Sequence, residues 1–86
     1  MFIHLGRDTL VYQQQIIAII DLDTIADSPA TREYIELAEV EGRIVRVDDD
    51  GKAKSAIITD CATYLSPISS VTLMKRAHFV AQLPGA

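Results

Sequence analysis

Residues Ile16-Ile17-Ala18-Ile19-Ile20 form an unbroken apolar run, and four of the five are β-branched. Five residues are too few for a helix, and β-branched side chains suit a pleated surface better than a helical one. Successive strand residues point to opposite faces, so a strand that is apolar at every position has to be covered on both sides. The run therefore reads as a central strand, ended by Asp21. A chain of 86 residues makes one domain. That single domain has to supply a layer for each face of its own sheet.

The flanking segments read as those layers. Phe2–Leu5 and Thr9–Tyr12 alternate around Gly6-Arg7-Asp8 and predict a hairpin with a glycine-containing loop. Ser28-Pro29 predicts a helix start: serine caps the free N–H groups, and proline suits the first helical position. That helix should run to about Glu41 and stop at Gly42. Ala30, Tyr34, Leu37 and Ala38 form its core stripe, while Ile35 and Val40 lie off that stripe on opposite flanks. Arg43–Asp48 reads as a strand, Asp49-Asp50-Gly51-Lys52 as a hairpin turn, Ser55–Asp60 as its return strand and Thr63–Leu65 as a further short strand. Pro67 breaks the sheet. Ser69 or Ser70 caps a last helix to about Ala77 or Phe79, with Val71, Met74, Ala77 and His78 on one side. The fold class is α+β: a small, mostly antiparallel sheet with one central and one C-terminal helix, in the order β-β-β-α-β-β-β-α. Residues 1–80 make the domain and 81–86 a loose tail.

Composition narrows the function. With 49% apolar and only 6% aromatic residues, the core must be built mainly from Ile, Val, Leu and Ala. The single cysteine, Cys61, cannot form an intramolecular disulfide, and the N-terminus lacks the pattern of a signal peptide. The longest apolar run is far short of the roughly twenty residues that cross a bilayer. A cytoplasmic protein without membrane attachment is expected. No chemistry-bearing motif is present. Cys61 with His4 or His78 is too sparse a pattern for a nucleophile and its base. Asp48-Asp49-Asp50-Gly51 misses calcium-loop spacing because Lys52 stands where a ligand should be. Asp21-Leu22-Asp23 reads as a loop. The expectation is a protein that is not an enzyme and needs neither cofactor nor metal.

The net charge of −4 conceals an asymmetry. Residues 1–41 hold two basic and eight acidic side chains (−6), whereas residues 42–86 hold six and four (+2). Arg43, Arg46, Lys52 and Lys54 cluster around the second turn and are the candidate phosphate contacts, with the lysines leading. Lys75 and Arg76 fall at a helix C-terminus, where cations complement the helix dipole. The acidic helix and the basic C-terminal half are complementary. Head-to-tail self-assembly would use that complementarity, with Ile35 and Val40 as the apolar part of the contact.

Several stretches together resemble the RemA/RemB family of bacterial extracellular-matrix regulators, and the RemB branch more closely. They are Met1–Gly6, Ile16–Asp21, Ser28–Tyr34, Gly51-Lys52-Ala53-Lys54-Ser55, Ile58-Thr59-Asp60, Tyr64–Ser70 and Leu73–Ala77. The resemblance implies a small regulator of biofilm-matrix genes. In the RemA branch this is a ring-forming protein that binds DNA through basic residues on repeated subunits. The chain departs from that branch in two places. Gln15 stands where a basic residue precedes the apolar strand, and Lys52, Ala53 and Lys54 replace a run of arginines. Lysine keeps the charge but not the bidentate fork. Two readings follow: a homo-oligomeric regulator on double-stranded DNA, or an oligomeric module that binds another protein and no DNA.

Overall fold

The computed structural model describes residues 1–25, 28–48 and 52–77, and the side chains of all of these except 24 and 25. The chain begins with β1 (Phe2–Gly6) and β2 (Thr9–Tyr12), an antiparallel hairpin, followed by one 3₁₀ turn (Gln13–Gln15). β3 (Ile16–Asp21) runs into a single helical turn, α1 (Leu22–Ile25), and then α2 (Pro29–Val40). β4 (Ile44–Arg46), β5 (Ser55–Thr59), β6 (Thr63–Ser66) and α3 (Ser70–Ala77) complete the expected α+β order.

The second sheet runs β3-β5-β6-β4 and is antiparallel except for the β4–β6 pair. Two expectations are corrected here. β3 is an edge strand and not the central one, and a bulge at Ile17 leaves that side chain 68% exposed. β4 does not return into β5 as a hairpin, because it lies parallel to β6 on the opposite edge. The physical reason is the same for both. β5 carries Ser55, Ala56 and Ile57, all buried, and takes the centre, flanked by β3 and by β6. The β6 partnership is closed by a tight turn in which Thr59 N–H donates to the Ala62 carbonyl (2.9 Å) and Thr59 Oγ1 accepts from Ala62 N–H (3.0 Å). With both sides of β5 occupied, the short strand Ile44–Arg46, which ends in an arginine, goes to the outside. The expected turn at 49–51 lies outside the described residues, as do His78, Phe79 and the 81–86 tail.

Each face of this sheet has its own cover. Ile19, Ile57 and Tyr64 share one face by register and meet the hairpin and α3. There Ile3, Leu5, Val11, Val47, Ile57, Leu73 and Ala77 form the main core. Two buried serines stitch the layers together: Ser66 Oγ donates to the Leu5 carbonyl (2.6 Å) and Ser55 Oγ to the Ile68 carbonyl (2.8 Å). Gly6 is required where β1 meets the sheet. Its φ is +118°, and a Cβ there would stand 3.3 Å from Val47 Cγ1.

α2 covers the other face, where Tyr34 Oη and Thr63 Oγ1 share a hydrogen bond (2.8 Å). Its ends form as expected. Ser28 Oγ accepts from Thr31 N–H, and Gly42 (φ +72°) lets Arg43 N–H reach back to the Ala38 carbonyl (2.8 Å). The stripe is turned, however. Only Ala38 is buried, Ile35 is half-buried, and Ala30, Tyr34 and Leu37 lie exposed along one flank. α3 is corrected in the same way. Leu73 and Ala77 face the core, while Val71 and Met74 face out. Ser69 is its cap, accepting from Thr72 N–H at 3.2 Å. Among the described residues no helix is long and apolar enough to cross a membrane.

Candidate nucleic-acid interface

The strand register places the four candidate cations. The C-terminal ends of β3, β4 and β6 and the N-terminal start of β5 lie at one end of the sheet, since Asp21 pairs with Ser55, Ser55 with Ser66, and Arg46 with Leu65. Arg46 and Lys54 are therefore about 10 Å apart, two strand spacings. Lys52 lies within about 7 Å of Lys54 along the chain. Arg43 precedes β4 and sits at the opposite end, where its carbonyl accepts from Thr63 N–H (2.8 Å). Three of the four candidates come together, and Arg43 does not join them.

A further cation completes the cluster. Arg7 lies in the β1–β2 turn, and the packing of Gly6 against Val47, Pro67 and Ile68 brings that turn to the same end. Arg7 Nη2 donates to Asp48 Oδ1 at 3.3 Å. Sequence reasoning missed Arg7 because the contact spans 41 residues. The one available signal was a cation in a glycine-led hairpin loop; in the structure Arg7 takes a positive φ of 46° there.

Carboxylates divide these cations into two kinds. Arg46 is held by Glu39 (2.7 Å) and Arg43 by Glu41 (3.7 Å), all with half-exposed side chains, so each pair is weak. Lys52 and Lys54 are exposed, and among the described residues no carboxylate lies within ion-pair distance of either. The backbone at Lys54 is fixed. Lys54 N–H donates to the Ser66 carbonyl (2.8 Å), and the Lys54 carbonyl accepts from Leu22 N–H (3.0 Å). Two ammonium groups are thus presented from a segment that hydrogen-bonds on both sides. Among the described residues the same end also carries Asp8, Asp21, Asp23, Glu39 and Asp48, five acidic groups against Arg7, Arg46, Lys52 and Lys54. One copy of the cluster is close to neutral as a whole.

The remaining reactive side chains are structural. Asp21 Oδ1 accepts from Asp23 N–H (2.9 Å), so the acidic pair read as a loop starts the α1 turn. Cys61 is exposed, and the Asp60 side chain pushes its thiol pKa up, first through a hydrogen bond and then through its negative charge. Arg76 donates to the His4 carbonyl (2.9 Å) and rivets α3 to β1. Of the proposed assembly residues, Val40 is 85% exposed and Ile35 leans toward its own sheet.

Most segments that carried the family resemblance thus serve the fold. Tyr64–Ser70 supplies core, serine stitch and helix cap; Ile58–Asp60 supplies a turn; Met1–Gly6 supplies the inner strand. The described part of the Gly51–Ser55 stretch differs, presenting the exposed Lys52 and Lys54 with the backbone hydrogen-bonded at Lys54. A family model described as extracellular matrix regulatory protein A-like matches residues 2–77. The chain is also 35% identical over 83 residues to extracellular matrix regulatory protein B of Bacillus subtilis (strain 168), covering 96% of this chain and 98% of that protein. The chain belongs to the RemA-like family of extracellular matrix regulatory proteins.

Proposed function

We propose that this chain is a non-enzymatic, cytoplasmic regulator of matrix gene expression that acts on double-stranded DNA as a homo-oligomer. The observation that carries the reading is the exposed pair Lys52 and Lys54, anchored at Lys54 and with no carboxylate in ion-pair distance among the described residues, joined at one sheet end by Arg7 and Arg46. Point charges on a fixed backbone suit phosphate contact, which positions a protein on DNA without reading sequence. Assembly is integral to the reading. A single cluster close to charge balance attracts a duplex weakly, whereas copies repeated in an oligomer act together through effective concentration. The Cys61 thiol, raised by a neighbouring carboxylate, has the wrong surroundings for a nucleophile, which supports a role without catalysis.

The experiment is a fluorescence-anisotropy titration of labelled duplex DNA at low and at physiological salt. Binding should weaken steeply with salt. Lys52→Ala/Lys54→Ala should lower affinity and flatten the salt slope by about one unit per lysine removed. No binding at low salt by folded protein would retire the DNA reading. The second reading is an assembly that docks on another protein. It is favoured by the net charge of −4 and by the acidic groups that outnumber the cations at the lysine end among the described residues.

A further inference from the structure

The molecule carries two apolar surfaces that its own fold does not use, and they lie on opposite sides of the four-stranded sheet. The first is the outward flank of α2, where Leu37 is 58% and Val40 85% exposed. The second is the outer face of the β1–β2 hairpin. Register puts Phe2 opposite Tyr12 and His4 opposite Leu10 on that face, while Ile3 and Val11 point inward to the core. Phe2 and Tyr12 stack with ring centroids 4.2 Å apart, so their apolar surface is already ordered, yet Phe2 remains 55% exposed.

The charges around the two surfaces differ in sign. α2 with its cap carries Glu33, Glu36, Glu39 and Glu41 against Arg32 and the paired Arg43 and Arg46, a balance of −1 in which Glu33 and Glu36 stand outside those two pairs. The hairpin and the end of α3 carry Arg7, Lys75 and Arg76 against Asp8 and the paired Asp48, a balance of +1 with histidine neutral. Pairing α2 with a second α2 would set two acidic helices side by side, a repulsive arrangement. Pairing α2 with the hairpin face sets opposite charges around two apolar centres. The two surfaces of one molecule face away from each other, so neither can cover the other within a single chain.

We infer that the α2 flank of one copy docks on the outer hairpin face of the next, Leu37 and Val40 meeting Phe2, Leu10 and Tyr12. This rests on the homo-oligomeric part of the proposed function and specifies its contact. The interface is heterologous, so each subunit uses one surface to give and the other to receive, and the assembly grows into a ring or filament rather than stopping at a dimer.

Complementary variants test this. Leu37→Asp/Val40→Asp removes the donor surface and Leu10→Asp the receiver, all at exposed positions that leave the core intact. Circular dichroism checks the fold, and Leu37→Gln/Val40→Gln and Leu10→Gln replace any variant that fails that check. Mass is read by size-exclusion chromatography with light scattering. The expected result is that wild type assembles, each variant alone is monomeric, and an equimolar mixture forms a dimer and nothing larger, because one intact interface remains. A monomeric helix variant beside a fully assembled hairpin variant would overturn the inference in favour of α2 pairing with itself. Assembly that survives both variants would overturn the interface while leaving the oligomeric reading intact. A monomeric wild type would overturn both and point to a different protein as the occupant.

Discussion

The two covers of the central sheet are built to different standards. On the hairpin side, seven buried residues from β1, β2, β5, α3 and Val47 just after β4 interlock, and Ser66, Ser55 and Arg76 tie the layers with hydrogen bonds. On the other side, the twelve residues of α2 bury one alanine, and the side-chain hydrogen bonds that tie helix to sheet, Tyr34 to Thr63 and Arg46 to Glu39, are half-buried or exposed. The first side is a core and the second is a lid with a surplus of outward apolar surface. In a domain this small, the first side folds the chain, and the second is the side that the proposed assembly would cover.

The sharpest way to break that contrast is to cut the core. Leu73 is fully buried, so Leu73→Ala should destabilise the fold by about 2–5 kcal/mol in urea unfolding. A loss under about 1 kcal/mol would mean the hairpin side is as loose as the helix side. Next in size is Ser66→Ala. It leaves the Leu5 carbonyl without its donor, and a cost of about 1–3 kcal/mol is expected in the same measurement. Cap removal compares the two helices directly. Ser28→Ala and Ser69→Ala each remove an acceptor for a first-turn N–H, worth about 1 kcal/mol locally. In amide exchange, the loss at Ser69 should lower global protection because α3 belongs to the core, whereas the loss at Ser28 should register in α2 alone. The smallest effect is expected for Leu37→Ala, which should change monomer stability by no more than about 0.5 kcal/mol while weakening assembly. A larger stability loss in dilute monomer would show that α2 is part of the core.

Much of this was legible in the chain because it is local. Gly6 marks the hairpin, and Ser28-Pro29 and Gly42 mark both ends of α2. Pro67 with Ser69 marks the passage from sheet to helix. What failed is set at long range. The Asp-Gly turn signal says nothing about which strand β4 will join, and the burial of Ser55-Ala56-Ile57 decides that by filling both sides of β5. The Ile16–Ile20 run packs Ile16 and Ile19 against the core while Ile17 stays exposed; edge or centre is not written in its own side chains. Periodicity marked Ala30, Tyr34 and Leu37 as apolar positions to be covered, without saying by which molecule. At the cationic end, Lys52 and Lys54 were visible as charges. The pairing of Arg46 with Glu39, the removal of Arg43 to the far end and the arrival of Arg7 all depend on the fold.

The division between a self-sufficient core and a lid completed by a neighbour is tested most directly by hydrogen exchange with mass spectrometry across a protein concentration series. The account predicts that β1, β5 and α3 stay protected at every concentration, while α2 becomes protected only as the protein assembles. Equal protection of α2 and α3 in the dilute monomer would contradict it.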